Sequence, residues 1–213
     1  MENDKLKRSE KFWDRMSKNF DKPKKKKDQK LPKTVRYSEK YLNENDTVLD
    51  FGCATGKITI DISNYVKQIY GIDLSSKMIE IANKKVHEQN LKNIYFQQST
   101  IFNSKFEDES FNVILGFNIL HLIENGPKVL ERIHRLLKLD GIFISATPCL
   151  HDNNVFLRTV LNFVSKLKVI PYIKSLSFLD LEKLISDGKF EIIQNINISQ
   201  SIPNHFIVAK KIL

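Results

Sequence analysis

The sequence predicts an α/β protein built around a mostly parallel β-sheet, and three segments carry that prediction. A short apolar run ends at Asp50, and a turn rich in glycine follows over 52–56. A second apolar run ends at Asp73, 23 residues after the first acid. Residues 111–117 form an almost continuous apolar run, which is typical of a strand that is buried on both faces of a parallel sheet.

The spacing of the two turn glycines indicates which kind of nucleotide the turn binds. A dinucleotide fold uses G-x-G-x-x-G, because a pyrophosphate presses on backbone N–H groups at a helix start. Three other residues separate Gly52 from Gly56, and the P-loop lysine pattern is absent. This looser turn suits an adenosine ligand without phosphates. Asp73 lies where such sheets bind a ribose through its hydroxyls.

Four motifs in order extend this interpretation. They read VLDFGCATG (48–56), GIDLSSKMIEIA (71–82), FNVILGFNILHLI (111–123) and LLKLDGIFISATP (136–148). The chain here resembles the class I S-adenosylmethionine-dependent methyltransferases, whose first motif is written VLD-x-G-C-G-x-G. The resemblance covers about residues 35–150 strongly and the remainder weakly. A single glycine turn would be weak evidence, whereas four ordered motifs are specific.

The resemblance implies a Rossmann-like, doubly wound α/β fold with a seven-stranded, mostly parallel sheet and an antiparallel last strand. We expect a basic, aromatic helical cap and linker over 1–35 and the methyltransferase domain over 36–213. A helical insertion over 151–174, after the fifth strand, is a candidate lid. Apolar periodicity and turn residues predict helices near 5–20, 32–43, 56–66, 76–90, 126–138 and 178–187, and strands near 46–51, 68–73, 93–98, 111–117, 141–147, 189–198 and 204–211.

The cofactor implied by the resemblance is S-adenosylmethionine, with S-adenosylhomocysteine as the product. In the family, the glycine turn holds the methionine part of the cofactor. Asp73 would accept hydrogen bonds from the ribose hydroxyls, since an ionised carboxylate accepts several, and Leu74 and Met78 would flank the adenine. Asp50 is equally compatible with a cap that holds the turn. The expected cofactor-binding residues are Asp50, Gly52, Cys53, Ala54, Thr55, Gly56, Asp73, Leu74, Met78, Ser99, Thr100 and Phe117.

Two positions depart from the family pattern. Many relatives place an Asp beside the adenine amino group after the third strand, where this chain has Ser99 or Thr100. A hydroxyl or a backbone group would then make that contact. Ala54 replaces the middle glycine of the first motif, and an alanine fits there if its φ is negative.

The sequence determines the catalytic end less closely. The Asn-Pro-Pro-Tyr pattern of amino-methylating enzymes is absent, and Phe117 and Asn118 are expected to face the methyl group. His121 is a candidate general base, because an imidazole accepts a proton near neutral pH. A structural histidine at the junction between strand and helix is the alternative. No His, Cys or Asp spacing supports a metal site, so we expect no metal.

The methyl acceptor is open between three classes. The first is a small, partly apolar molecule in a pocket lined by Trp13, Phe20, Phe156 and Phe163. The second is RNA or a lipid at an anionic membrane surface, bound through residues 22–30 with their run Lys24–Lys27. The third is a non-catalytic subunit that binds only the cofactor.

Charge and cysteine content bear on partners and location. Residues 1–40 hold 15 Lys or Arg and 7 Asp or Glu, whereas residues 41–213 hold 19 and 18. The basic character is therefore N-terminal, where it either contacts an anionic partner or aids solubility. With only two cysteines and without a secretory signal or a long apolar segment, the chain is expected to be cytoplasmic.

Overall fold

The computed structural model describes residues 2–22, 31–149, 172–199 and 202–213. Two of the segments singled out in the sequence, Lys24–Lys27 and most of 151–174, lie outside the described residues. The chain divides into two compact units, Met1–Thr100 and Ile101–Leu213. Each unit has its own strands and helices.

The first unit contains three parallel strands in the order β3-β2-β1. Its strands are β1 (Thr47–Phe51), β2 (Gln68–Asp73) and β3 (Ile94–Gln98), and its helices are α1 (Glu2–Phe20), α2 (Lys33–Ser38), α3 (Lys57–Ile62) and α4 (Ser76–Glu88). Short 3₁₀ turns at Glu39–Tyr41 and Ser63–Tyr65 extend α2 and α3. Because β1 and β2 are parallel and in register, Asp50 pairs with Gly71, and both strands end at the same edge.

The second unit contains four strands in the order β4-β5-β7-β6. They are β4 (Phe111–Phe117), β5 (Leu137–Pro148), β6 (Phe190–Asn197) and β7 (Asn204–Lys211), and the helices are α5 (Gly126–Leu136) and α6 (Phe178–Asp187), with a 3₁₀ turn at Leu120–Leu122. β4 runs parallel to β5, and β7 runs antiparallel to both β5 and β6. The seven-stranded, mostly parallel sheet with an antiparallel last strand is confirmed.

The boundary between α5 and β5 differs from the prediction. The sequence suggested a helix to residue 138 and a strand from Gly141, whereas α5 ends at Leu136 and β5 begins at Leu137. Leu137 already pairs with Phe111, and the register then shifts before Val113. Asp140 takes a positive φ of 64° within this irregular stretch. The apolar periodicity did not reveal the bulge, because a bulge places an extra residue in the strand.

Ser75 caps α4; the sequence had offered Ser75 or Ser76 for this role. Its hydroxyl accepts a hydrogen bond from the backbone N–H of Met78 at 3.1 Å, and the helix begins at Ser76. The cap directly follows Asp73, so it fixes the start of α4 next to the end of β2.

No helix among the described residues is long and apolar enough to cross a membrane.

Gly71 lies in β2 where a side chain would meet an aromatic ring. A Cβ atom at this position would lie 2.4 Å from ring atoms of Phe96 and 3.1 Å from the Cys53 sulfur. We expect Gly71→Ala to lower the free energy of unfolding by about 1–3 kcal/mol, because the ring has to move within a packed core. Urea denaturation measures this change.

Gly126→Ala is the matched control. A Cβ atom there would meet the flexible end of Leu184 at 3.1 Å, at the start of a helix. We expect a smaller loss of stability in this variant. Equal effects of the two substitutions would contradict the tight packing of Gly71 on Phe96.

Candidate functional site

The glycine turn after β1 is held in an unusual backbone conformation. Gly52 and Gly56 have φ values of 80° and 74°, which favour glycine. The backbone N–H groups of Gly52 and Cys53 both donate to the carbonyl of Ile72, at 2.8 and 3.0 Å. These bonds fix the turn against the end of β2.

Ala54 also has a positive φ, 49°, so the condition under which an alanine would fit without strain is not met. A left-handed conformation costs a residue with a Cβ about 1–2 kcal/mol. The backbone N–H of Ala54 donates to Oδ2 of Asp73 at 3.0 Å, and this charge-assisted bond offsets the strain. The turn therefore keeps the shape that glycine would give it.

Asp73 joins the two loops that follow β1 and β2. Its Oδ2 accepts from Ala54, and its Oδ1 accepts from the backbone N–H of Ser75 at 2.8 Å. The backbone of Leu74 also contributes a hydrogen bond to this carboxylate. An ionised carboxylate accepts about four hydrogen bonds, so Asp73 keeps capacity for a ligand. Burial is the main cause of a raised pKa for this carboxyl, and the hydrogen bonds from Ser75 and Ala54 oppose it.

Asp50 is buried at the end of β1. Its Oδ2 accepts from the hydroxyl of Thr59 in α3 at 2.5 Å. Burial raises its pKa to about 7, and the Thr59 hydrogen bond only partly opposes that rise. The Thr59 contact joins the end of β1 to α3, and both roles considered for Asp50 stay predictions.

The remaining positions expected around the adenosine differ in exposure. Leu74 is half-buried, whereas Met78 is only 1% exposed and packs within the first unit. The N–H of Ser99 donates to the carbonyl of Asp73 at 3.0 Å, and its hydroxyl donates to the carbonyl of Thr100. Leu74 and the Ser99 region thus lie beside Asp73, and the Met78 side chain offers little surface to a ligand. Contact of each with the adenine stays a prediction.

The Cys53 thiol is buried, and its pKa lies well above its usual value, mainly because of burial. A protonated, buried thiol is a small apolar group rather than a nucleophile. Its place in the turn is consistent with packing beside Gly71.

These residues fit an adenosine with a charged amino-acid tail. The turn is close-packed on an aromatic core, because a Cβ on Gly56 would lie 2.4 Å from the Phe96 ring. Asp73 keeps acceptor capacity for a ligand hydroxyl, and the turn presents backbone without large side chains. No group of three or more potential metal ligands occurs among the described residues.

The sequence interpretation missed three acids in α1 or directly after it. Asp21 accepts a hydrogen bond from the hydroxyl of Thr55 in the glycine turn at 2.7 Å, and Asp14 accepts from Ser75 at 2.6 Å. Glu10 accepts from Gln98 at the end of β3. Their regular spacing, in a segment noted for its basic and aromatic residues, was the signal available in the sequence. Trp13 and Phe20 lie on the same helix.

In the second unit, Asn118 lies at the end of β4 with a positive φ of 55°. The side-chain amide of Asn204, at the start of β7, donates to its Oδ1 at 3.3 Å. Oδ1 of Asn204 is buried and has no partner among the residues that the structure describes. Phe117 is buried, and Phe156 and Phe163 lie outside the described residues.

His121 is largely buried, and burial lowers its pKa to about 4. Its Nδ1 has no hydrogen-bond partner within the described part of the chain, and its carbonyl accepts from the N–H of Lys174 at 2.7 Å. The imidazole is therefore neutral at pH 7 and a weaker base than an exposed histidine.

The raised pKa of Asp50 predicts how stability depends on pH. A carboxyl whose pKa rises from 3.8 to about 7 on folding favours the folded state while it is protonated, and this stabilisation is lost as the pH rises through 7. The free energy of unfolding should fall by about 3 kcal/mol between pH 5 and pH 8 from this group.

Asp50→Asn keeps an acceptor for Thr59 and removes the ionisation. Denaturation at both pH values should show a smaller fall in this variant than in the wild type. Asp187→Asn, at an exposed ion pair with Lys183, is the control and should keep the wild-type dependence. Identical pH profiles for the wild type and Asp50→Asn would refute the buried, neutral carboxyl.

Comparison with known proteins identifies the family. The family model described as a methyltransferase domain matches residues 42–175. The uncharacterised methyltransferase YcgJ of Bacillus subtilis is 27% identical over 139 residues, which are 65% of this chain and 54% of the relative. The demethylmenaquinone methyltransferase of Lactobacillus johnsonii is 35% identical over 101 residues, 45% of this chain and 41% of the relative. The chain thus spans about half the length of these curated relatives.

Solved structures agree in fold. The crystal structure of Bacillus subtilis YcgJ has a TM-score of 0.70 and 19% identity, and the match covers 84% of this chain and 98% of that one. Geranyl diphosphate C-methyltransferase of Streptomyces coelicolor, with S-adenosylhomocysteine bound, has a TM-score of 0.71 and 10% identity, and covers 84% and 79%. The family match, together with the turn held by Asp73, shows that the chain belongs to the S-adenosylmethionine-dependent class I methyltransferases.

Proposed function

We propose that the methyl acceptor is a small, partly apolar molecule that presents a polar group to be methylated. The observation that carries the proposal is an apolar side of α1. Leu6, Trp13 and Phe20 recur every seven residues and so lie on one side of the helix. Leu6 and Phe20 are 39% and 45% exposed, and Met16, also on this side, is 44% exposed. An apolar acceptor would bury this surface.

The second unit, taken by itself, contains polar side chains that bear on the proposed catalytic residues. Asn204 Oδ1 and His121 Nδ1 are buried atoms without partners in the described residues, and Asn118 is held in a strained conformation at the end of β4. Buried polar atoms without partners are rare, and ligand binding is one explanation for them. Strained residues cluster at functional sites. Asn118 and His121 therefore stay the proposed catalytic residues.

Relatives support this class of acceptor through what their names state. They include demethylmenaquinone methyltransferases, a phosphoethanolamine N-methyltransferase and a sterol 4-C-methyltransferase. Geranyl diphosphate is the acceptor named in one structural neighbour. These are small molecules, and several carry large apolar parts. The acceptor of the present chain is proposed on that pattern.

The chemistry assigns separate tasks to the chain's residues. S-adenosylmethionine supplies a methyl group that its sulfonium centre already activates. Asp73 would hold the ribose, and the glycine turn would hold the amino-acid tail, so that the acceptor can be positioned and water excluded. Asn118 would orient the acceptor, and neutral His121 would accept a hydrogen bond or a proton from it. We also propose the domain division that the sequence predicts, with a cap over 1–35 and the methyltransferase domain over 36–213.

The cofactor part is tested by S-adenosylhomocysteine binding to the full chain. Asp73→Ala should weaken binding by well over tenfold, because it removes the ribose acceptor and the bond that holds Ala54. Isothermal titration calorimetry gives the dissociation constants. Glu131→Gln, an exposed position on α5, is the control and should bind as the wild type does. An unchanged affinity of Asp73→Ala for S-adenosylhomocysteine would contradict the assignment of Asp73 to the cofactor site.

The acceptor class is tested with S-adenosylmethionine that carries a tritiated methyl group. Purified protein is incubated with separate lipid-soluble, water-soluble small-molecule, RNA and protein fractions. We expect label in the lipid-soluble small molecules, and Asn118→Ala should lower that incorporation at least tenfold with little change in S-adenosylhomocysteine affinity. Label confined to RNA or protein would overturn the proposed acceptor.

A quadruple variant separates the acceptor classes further. It carries the substitutions Lys24→Ala, Lys25→Ala, Lys26→Ala and Lys27→Ala. Incorporation into a small molecule should survive these changes, because the proposal does not use the lysines. A selective loss of labelling with this variant, reproduced in the wild type by added salt, would instead favour RNA or an anionic membrane surface.

A further inference from the structure

Three acids lie in α1 or directly after it. Glu10 and Asp14 are four residues apart and so share one side of the helix, and Asp21 is the residue that follows its end at Phe20. We call these three residues the acidic stripe. The other charged residues of α1 are mostly basic, which makes these acids conspicuous.

Asp14 is bonded to the start of α4. Its Oδ1 accepts from the Ser75 hydroxyl at 2.6 Å and from the backbone N–H of Lys77 at 3.2 Å. Both groups lie at the N-terminus of α4, where a negative charge is favoured by the helix dipole. Ser75 is also the residue whose N–H donates to Asp73, so Asp14 and Asp73 hold the same loop from two sides.

Asp21 is bonded to the glycine turn. Its Oδ1 accepts from the hydroxyl of Thr55 at 2.7 Å, and its Oδ2 pairs with the ammonium group of Lys85 at 2.7 Å. Lys85 also donates to the carbonyl of Thr55 at 2.8 Å. Thr55 is therefore held by its side chain and its backbone within one ionic cluster.

Glu10 completes the stripe. It accepts from the side-chain amide of Gln98 at 2.9 Å, and that amide also donates to the carbonyl of Leu74 at 3.1 Å. The stripe thus contacts the end of β3, the loop after β2 and the turn after β1 in that order. Asp73 crosslinks the last two of these loops.

We propose that the acidic stripe is a clasp that closes the cofactor loops, with Asp14 and Asp21 as its positioning residues. Neither residue is assigned a contact with the cofactor; each acts through Ser75 or Thr55. The clasp slows cofactor release, because α1 has to leave these loops before they can open. The proposal depends on the cofactor of the family and not on the proposed acceptor.

The clasp is suited to opening. The Asp21 and Lys85 side chains are partly exposed, so water and salt compete with their ion pair. Thermodynamic linkage also relates the docking of α1 to the binding of the cofactor. If docking of α1 strengthens cofactor binding, cofactor binding strengthens docking of α1 by the same factor.

Asp14→Asn, Asp21→Asn and the double variant test the clasp in the full chain. Stopped-flow displacement should give an S-adenosylhomocysteine dissociation rate at least tenfold faster in the double variant. Asp21→Glu, which keeps the charge, should recover part of the loss. Glu131→Gln is again the control. Added salt should speed release from the wild type and have less effect on the double variant.

A wild-type measurement keeps the proposal falsifiable if a variant folds poorly. Saturating S-adenosylhomocysteine should slow amide hydrogen exchange in α1 as well as in the two loops. Unchanged exchange in α1, or a double variant with the wild-type dissociation rate and salt dependence, would overturn the clasp. If the wild type does not bind S-adenosylhomocysteine, the cofactor assignment itself is contradicted.

Discussion

The Asp73 carboxylate is the interaction on which the rest of the site depends. One oxygen holds Ala54 in the turn after β1, and the other holds Ser75 at the start of α4. Each bond joins a charged acceptor to a backbone N–H, a strong type of hydrogen bond. The left-handed Ala54 and the cap of α4 both rely on it. The same carboxylate is the group that we propose for the ribose, so one group would serve both the fold and binding.

Several carboxyl groups lie in the site, and burial disfavours their ionised forms. Asp50 and Asp73 both have raised pKa values mainly because of burial, and Asp14 adds repulsion at Asp73. A cationic ligand near these carboxyls would favour their ionised forms, since an opposite charge stabilises ionisation. The donor of this family carries a sulfonium and an ammonium group. The arrangement therefore favours the charged cofactor over a neutral adenosine of the same shape.

The sequence predicted the parts that depend on local patterns. The apolar runs that end at Asp50 and Asp73 are strands, and Ser75, one of the two serines considered, caps α4, because strand periodicity and capping are encoded by neighbouring residues. The sequence left the sign of φ at Ala54 open, since the Asp73 bond that holds this residue comes from 19 residues away. The acidic stripe was missed for the same reason. Its partners Thr55 and Ser75 are distant in the sequence, and the structure is needed to identify them.

The central claim is that Asp73 binds the ribose hydroxyls while it holds both loops. The most direct measurement compares the affinities of S-adenosylhomocysteine and its 2′-deoxy analogue, for the wild type and for Asp73→Asn. The wild type should prefer the hydroxylated ligand by about tenfold or more, because a hydrogen bond to a charged group is lost in the analogue. Asp73→Asn should lose most of that preference. An equal preference in both proteins would contradict the account.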